Sequence, residues 1–211
     1  SGLATEEYVP LDLSFNLSQV VKIQIGKGEG DAKTNQKGLS FALVKNEKDT
    51  WRIPEFLNAR ADQKKIDDFL KEVQAAKGEL RAKDKSLFPD FEIEEKKAFK
   101  VSLLDASDTS LLAFLIGNKL AGDNLIFIRR KDSDDIYVTS AKLLALMGIY
   151  GKPAGEVPKP DYWAATDFLK LKPDSIDRLQ VIQFQKGKEK IKAHIRRVPG
   201  SDGGSKKKWE Y

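Results

Sequence analysis

A chain of this composition could do chemistry through its carboxylates, one histidine and several glycine-rich turns. Cysteine is absent and His194 is the single histidine. Disulfides, thiol nucleophiles, Cys-ligated zinc, iron–sulfur clusters and a multi-histidine metal site are therefore excluded. His194 lies in the alternation Ile191-Lys192-Ala193-His194-Ile195, opposite the apolar face formed by Ile191, Ala193 and Ile195. That places it in solvent, with no Ser/Asp pair fixed beside it. Asp132, Asp134 and Asp135 crowd as in a calcium loop, but an EF-hand counted from Asp132 needs Gly and Glu where the chain has Tyr137 and Leu143. The run reads as a hairpin turn. Gly26 to Gly30 comes after a strand but lacks the Gly-Lys-Ser/Thr ending and a succeeding helix, so it is neither a P-loop nor a dinucleotide fingerprint. Gly117-Asn118-Lys119 likewise reads as a turn. Asp105 and Asp108 flank a hairpin, which is weak support for an acid–base pair. Trp51, Tyr162 and Trp163 could offer a stacking surface to a ligand. The packing alternative has Trp51 closing the core and Tyr162-Trp163 pinning a connecting segment. No catalytic, cofactor-binding or metal-binding residue is assigned, no cofactor is expected, and the chain reads as a non-enzyme.

The charge is uneven. The 211 residues carry a net +5, yet the segment from Lys186 to the end is +6 and the remainder −1. Nine cations make that segment basic: Lys186, Lys188, Lys190, Lys192, Arg196, Arg197, Lys206, Lys207 and Lys208. A nucleic-acid binder usually carries its basic face on the folded body. Here the excess sits on one alternating strand and one loop, so a solvated strand face is the first reading. Contact with an anionic polymer or membrane surface is the sharper one. No apolar run reaches the roughly 18–20 residues needed to cross a bilayer.

The elements that must position these residues can be read from periodicity. Ser1-Gly2 reads as a cloning remnant, and residues 1–10 as an extension. Leu17 to Ile25, with Val21, Ile23 and Ile25 on one face, reads as a strand. Leu39, Phe41 and Leu43 mark a second, and Trp51-Arg52-Ile53 a third that stops at Pro54. Asp62 has the chemistry of an N-cap for a helix carrying Ile66, Phe69, Leu70 and Val73 and ending near Gly78. Strands are expected at 99–103, 111–116, 125–128 and 136–138, with 117–123 as a turn. Ser140 is expected to cap a second helix with Leu143, Leu144, Leu146 and Met147, which Gly148 and Gly151 end. The Pro-rich stretch at 153–160 is the linker candidate. The sum is an α+β fold, mostly antiparallel, with two main amphipathic helices packed on sheet faces. Residues 11–160 form the main domain.

After that stretch the opening pattern recurs. Leu17, Val20, Ile23 and Ile25 match Ile176, Leu179, Ile182 and Phe184 at an offset of 159. A second alternating strand comes next in both places, and Trp51 and Trp209 lie 158 apart. This predicts a partial internal repeat in which 161–211 start a second unit. Three strands cannot bury an apolar face alone. Residues 200–208 are expected to form a hairpin loop and 209–211 a returning strand.

The motifs Thr50-Trp51-Arg52-Ile53-Pro54 and Ala61-Asp62-Gln63, the hairpin from Leu125 to Ser140, and Asp161-Tyr162-Trp163 with Phe168-Leu169 resemble the bacterial family DUF4340. The resemblance spans roughly residues 15–185 and rests on structural motifs. It implies an uncharacterised, non-enzymatic, extracytoplasmic (periplasmic) interaction or scaffold domain. It also implies an anchor by a membrane-spanning segment absent here, and a role accessory to an ABC-type transporter with a membrane-protein partner. The alternative is a binder of anionic polymer, nucleic acid or a cell-wall polyanion, through the basic segment, with nucleic acid the less expected of the two.

Overall fold

A computed structural model describes residues 10–28, 39–166, 176–185, 188–198 and 208–210. The chain divides into two compact units at Thr166/Asp167. Among the described residues no helix is long and apolar enough to cross a membrane.

The first unit is one antiparallel sheet with a helix laid across it. Its strands are β1 (Lys22–Lys27), β2 (Leu39–Lys45), β3 (Trp51–Ile53), β4 (Ala59–Arg60), β5 (Glu79–Ala82), β6 (Phe99–Leu104), β7 (Ser110–Gly122), β8 (Leu125–Arg130) and β9 (Ile136–Thr139). The spatial order is β4-β3-β2-β1-β6-β7-β8-β9-β5. Helix α1 (Gln63–Ala75) joins the two outermost strands, β4 and β5, and so must cross the sheet. Asp62 caps it as expected, accepting from the Lys65 N–H. Its apolar stripe of Ile66, Phe69, Leu70 and Val73 is buried in the core that also takes Ile23, Ile25, Leu43 and Phe114 from the sheet. Each such side chain contributes about 1.5–3 kcal/mol of burial.

The other face of the sheet is covered on one side only. Segment 83–98 packs Phe88, Ile93 and Ala98 against Leu115, Phe127 and Ile136 of β7, β8 and β9. Those strands are thus buried on both faces, which is why 125–128 read as a continuous apolar run instead of an alternation.

Several expectations are corrected. Leu17–Gln19 is a 3-10 turn capped by Asn16, so β1 begins at Lys22. Residues 117–122 continue β7, and the turn lies at Asp123-Asn124. Gly117 is there for close approach, since a Cβ would stand 2.8 Å from the Phe91 carbonyl oxygen. Helix α2 is one turn (Leu143–Leu146), and Ser140 does not cap it. Instead the Lys142 N–H donates to Glu72 Oε1 of α1 at 2.7 Å. Strands β4 and β5 were not anticipated, being short edge elements with weak alternation.

The Pro-rich stretch packs on the first unit rather than standing off as a spacer. Lys27 Nζ donates to the Pro153 and Glu156 carbonyls and sits 4.4 Å from the Phe99 ring centroid. Trp163 is fully buried and meets Phe69 edge-on. The first unit's core therefore extends past the expected limit at 160.

The second unit contributes β10 (Arg178–Gln185), β11 (Lys188–Val198) and β12 (Lys208–Glu210), antiparallel in that order. β12 is a returning strand in register with Arg196–Val198. Most of the loop expected at 200–208, and Tyr211, lie outside the described residues. Val181 pairs with Ala193 and Ile182 with Ile191, which leaves Lys192 as an extra residue. This bulge overturns the expected single apolar face of Ile191, Ala193 and Ile195. Val181 and Ile182 point to opposite faces, so apolar side chains stand on both. Leu179, Val181, Ile182 and Ile191 are 44%, 48%, 40% and 58% exposed.

Candidate functional site

The carboxylates that could have done chemistry are spent on turns. Asp105 Oδ1 accepts from the Ser107 and Thr109 N–H groups, which closes the β6–β7 hairpin. Asp108 has φ +59° and pairs with Lys22 at 2.9 Å. Asp132 grips Arg130 in a two-pronged pair, Nε to Oδ1 at 2.9 Å and Nη2 to Oδ2 at 3.0 Å. That pair, first through its hydrogen bond, holds the Asp132 carboxyl below the usual carboxylate range. No cluster of three or more metal-ligating side chains occurs among the described residues. In the glycine-rich stretch Gly28 takes φ +66°, and Glu29 and Gly30 fall outside the described residues.

The three aromatics are brought to the first unit and largely enclosed. Trp51 is 3% exposed and Trp163 fully buried, so neither presents a face to a ligand. Tyr162 is half-buried. Lys65 Nζ lies 4.4 Å from its ring centroid and donates to its carbonyl. Asp62 N–H donates to the Trp163 carbonyl and Ala165 N–H to the Arg60 carbonyl. These bonds fasten 162–165 to the start of α1 and to the β4 edge. Burial, and then a hydrogen bond with the neighbouring Tyr150, push the Tyr162 hydroxyl up to about 12.

Among the described residues the cations of the basic segment do not converge on one face. Lys190, Lys192 and Arg196 are exposed and Arg197 is half-buried. Arg196 pairs with Arg178 across β10–β11 and Lys190 with Gln183. By strand alternation Gln183 shares a face with Val181, whereas Arg178 shares one with Ile182, so the cations divide between the faces. His194 is exposed, opposite Gln180. The side chains of Lys186, Lys188, Lys206, Lys207 and Lys208 lie outside the described set.

A site the sequence reading missed lies on the doubly covered part of the sheet. Arg129 of β8 is 4% exposed. Its Nη1 donates to the carbonyls of Arg130 (3.1 Å), Lys131 (3.4 Å) and Ser133 (3.2 Å), and its Nε to that of Ile93 at 3.5 Å. The guanidinium carbon lies 4.1 Å from the Phe88 ring centroid. Burial depresses its basicity, opposed by Glu95 and Asp134. It borders a cleft of about 420 Å³ whose wall includes Lys85, Ser86, Pro89, Glu95, Lys131 and Asp134. The signal was present in LIFIRR: Arg129 shares a face with Phe127, and a strand apolar on both faces buries its next residue on either.

Comparison with known proteins gives a family and nothing further. The family model described as a domain of unknown function, DUF4340, matches residues 51–211. That range starts and ends later than the 15–185 expected from motifs. No curated protein and no solved structure matches the chain. With the match covering well over half of its residues, from the Trp51 strand through the three-stranded second unit, the chain belongs to the DUF4340 family.

Proposed function

We propose that this chain is a non-enzymatic interaction module that docks through the sheet of its second unit. The observation that carries the reading is the row of exposed apolar side chains on β10 and β11, Leu179, Val181, Ile182 and Ile191. A two-sided apolar sheet of three strands is stabilised by cover on both faces. The second unit is read as the start of a further copy of the first. In support, β10-β11-β12 repeat the sequential antiparallel pairing of β1-β2-β3, with a tryptophan on the third strand of each. In the first unit that triplet is completed by β6 at the β1 edge and by α1 over its face.

The family resemblance supplies the setting for the proposal: an extracytoplasmic, membrane-anchored domain accessory to a transporter, with a membrane protein as partner. The test places a photo-crosslinking residue at position 181 or 191 of the tagged protein in its native envelope. Adducts with a transporter subunit from those positions, and none from position 57 on the first unit, are the expected result. Adducts formed from the first unit alone, or no adduct with any membrane protein, would refute the reading.

A second reading rests on the exposed cations Lys190, Lys192 and Arg196. It has β11 contacting a cell-wall polyanion. Binding should then fall steeply with salt and drop at least tenfold in Lys190→Ala/Lys192→Ala. Salt-independent binding would count against it.

A further inference from the structure

The geometry points to the cleft beside Arg129 as a binding site for a small zwitterion, an α-amino acid or a compound with the same carboxylate-and-ammonium head. Four hydrogen bonds from the guanidinium to backbone carbonyls use Nε and Nη1. Nη2 has no partner among the described residues, although Arg129 is only 4% exposed and borders the cleft. No carboxylate lies within ion-pairing distance of it among the described residues. A guanidinium held at Nε and Nη1 by carbonyls, and on its face by the Phe88 ring, is preorganised to present Nη2. The acceptor such a charged donor binds most strongly is an anionic oxygen, of a carboxylate or a phosphate.

The other lining residues choose between those two. Lys85 and Lys131 are exposed, stand on the same cleft and have no carboxylate partner among the described ion pairs. Glu95 and Asp134 face the same space, and Glu94 is engaged by Lys96 and Lys97. With Glu94 counted, the lining carries three cations, Lys85, Arg129 and Lys131, and three carboxylates, Glu94, Glu95 and Asp134, and is balanced in charge. A dianionic phosphate would add two negative charges to it. A monocarboxylate carrying an ammonium group adds no net charge, its carboxylate accepting from Arg129 and its ammonium facing the carboxylates of the same wall. Phe88 and Pro89 supply an apolar wall for the ligand's remaining carbons, and about 420 Å³ is within the usual range for small-molecule sites.

The test titrates the whole chain with phenylalanine, phenylpropionate, phenethylamine and inorganic phosphate, monitored by NMR. Phenylalanine should shift the Arg129 side-chain N–H and the amides of 85–95 and 131–134. It should bind at least tenfold more tightly than either single-headed compound and more tightly than phosphate. Arg129→Lys should abolish this. Because that variant removes turn contacts and can unfold, Asp134→Asn provides the second arm. It should weaken phenylalanine severalfold while leaving phenylpropionate unweakened. Absence of shifts at 10 mM ligand, tighter binding of phosphate, or shifts confined to other residues would overturn the assignment.

Discussion

The two units open alike and end differently. In each, three strands pair antiparallel in sequence order. In the first unit Ile23 and Leu43 are fully buried, whereas in the second Val181 and Ile191 remain about half exposed. Strand propensity and pairing do not separate the two. The difference is the cover: α1 and six further strands enclose β1 to β3, while β10 and β11 keep exposed apolar side chains on both faces. A β pattern thus specifies a sheet, and only the elements laid over it specify a core.

Core truncation should separate the units most widely. Phe69→Ala or Trp163→Ala should cost about 3–5 kcal/mol in the first unit. Val181→Ala or Ile191→Ala in the isolated chain should cost under about 0.5 kcal/mol. Denaturant unfolding reads both, and equal costs would erase the contrast. Next comes Gly117→Ala, whose Cβ meets the Phe91 carbonyl; a loss of about 1–3 kcal/mol is expected by the same measurement. Removing the α1 cap with Asp62→Ala should cost about 1 kcal/mol, seen as a lower thermal midpoint. This loosens the cover without touching a strand.

A gain is expected at the β3–β4 turn. Leu57 and Asn58 adopt φ +53° and +51°, and Leu57 is 94% exposed. Leu57→Asn should stabilise the first unit by about 0.5 kcal/mol, because asparagine tolerates the left-handed region better. The alkaline effect is expected to be the smallest. Tyr162 ionises near 12 in the fold and near 10 when unfolded. The folded form holds its proton longer, so stability falls as pH rises from 10 to 12. Tyr162→Phe should flatten that slope, measured by denaturation across the interval.

Much of this was legible in the residues. Asp62 and the Ile66–Phe69–Leu70–Val73 stripe specify α1 locally, and Trp51-Arg52-Ile53 before Pro54 bounds β3 on its own. What escaped depends on distant partners. The N–H of Lys142, the residue before α2, is held by Glu72, seventy residues away, and Gly117 is constrained by a carbonyl of segment 83–98. The bulge at Lys192 shows only through register with β10. At the level of sites, the turn roles of Asp105 and Asp132 were visible from Ser, Thr and Asp spacing. The burial of Arg129 was signalled only by the doubly apolar run before it, and what covers it, Phe88 and Ile93, comes from a distant segment.

The absence of cysteine gives a clean test of the docking surface. Single substitutions Val181→Cys and Ile191→Cys, with Ile23→Cys as the buried reference, can be challenged with a polar thiol reagent in the purified chain and in native envelopes. Docking through the second unit predicts rapid labelling of positions 181 and 191 in the purified chain and at least tenfold slower labelling in the envelope, with position 23 inert in both. Thiols at 181 and 191 that are already shielded in the purified chain, or that react equally fast in the envelope, would contradict it.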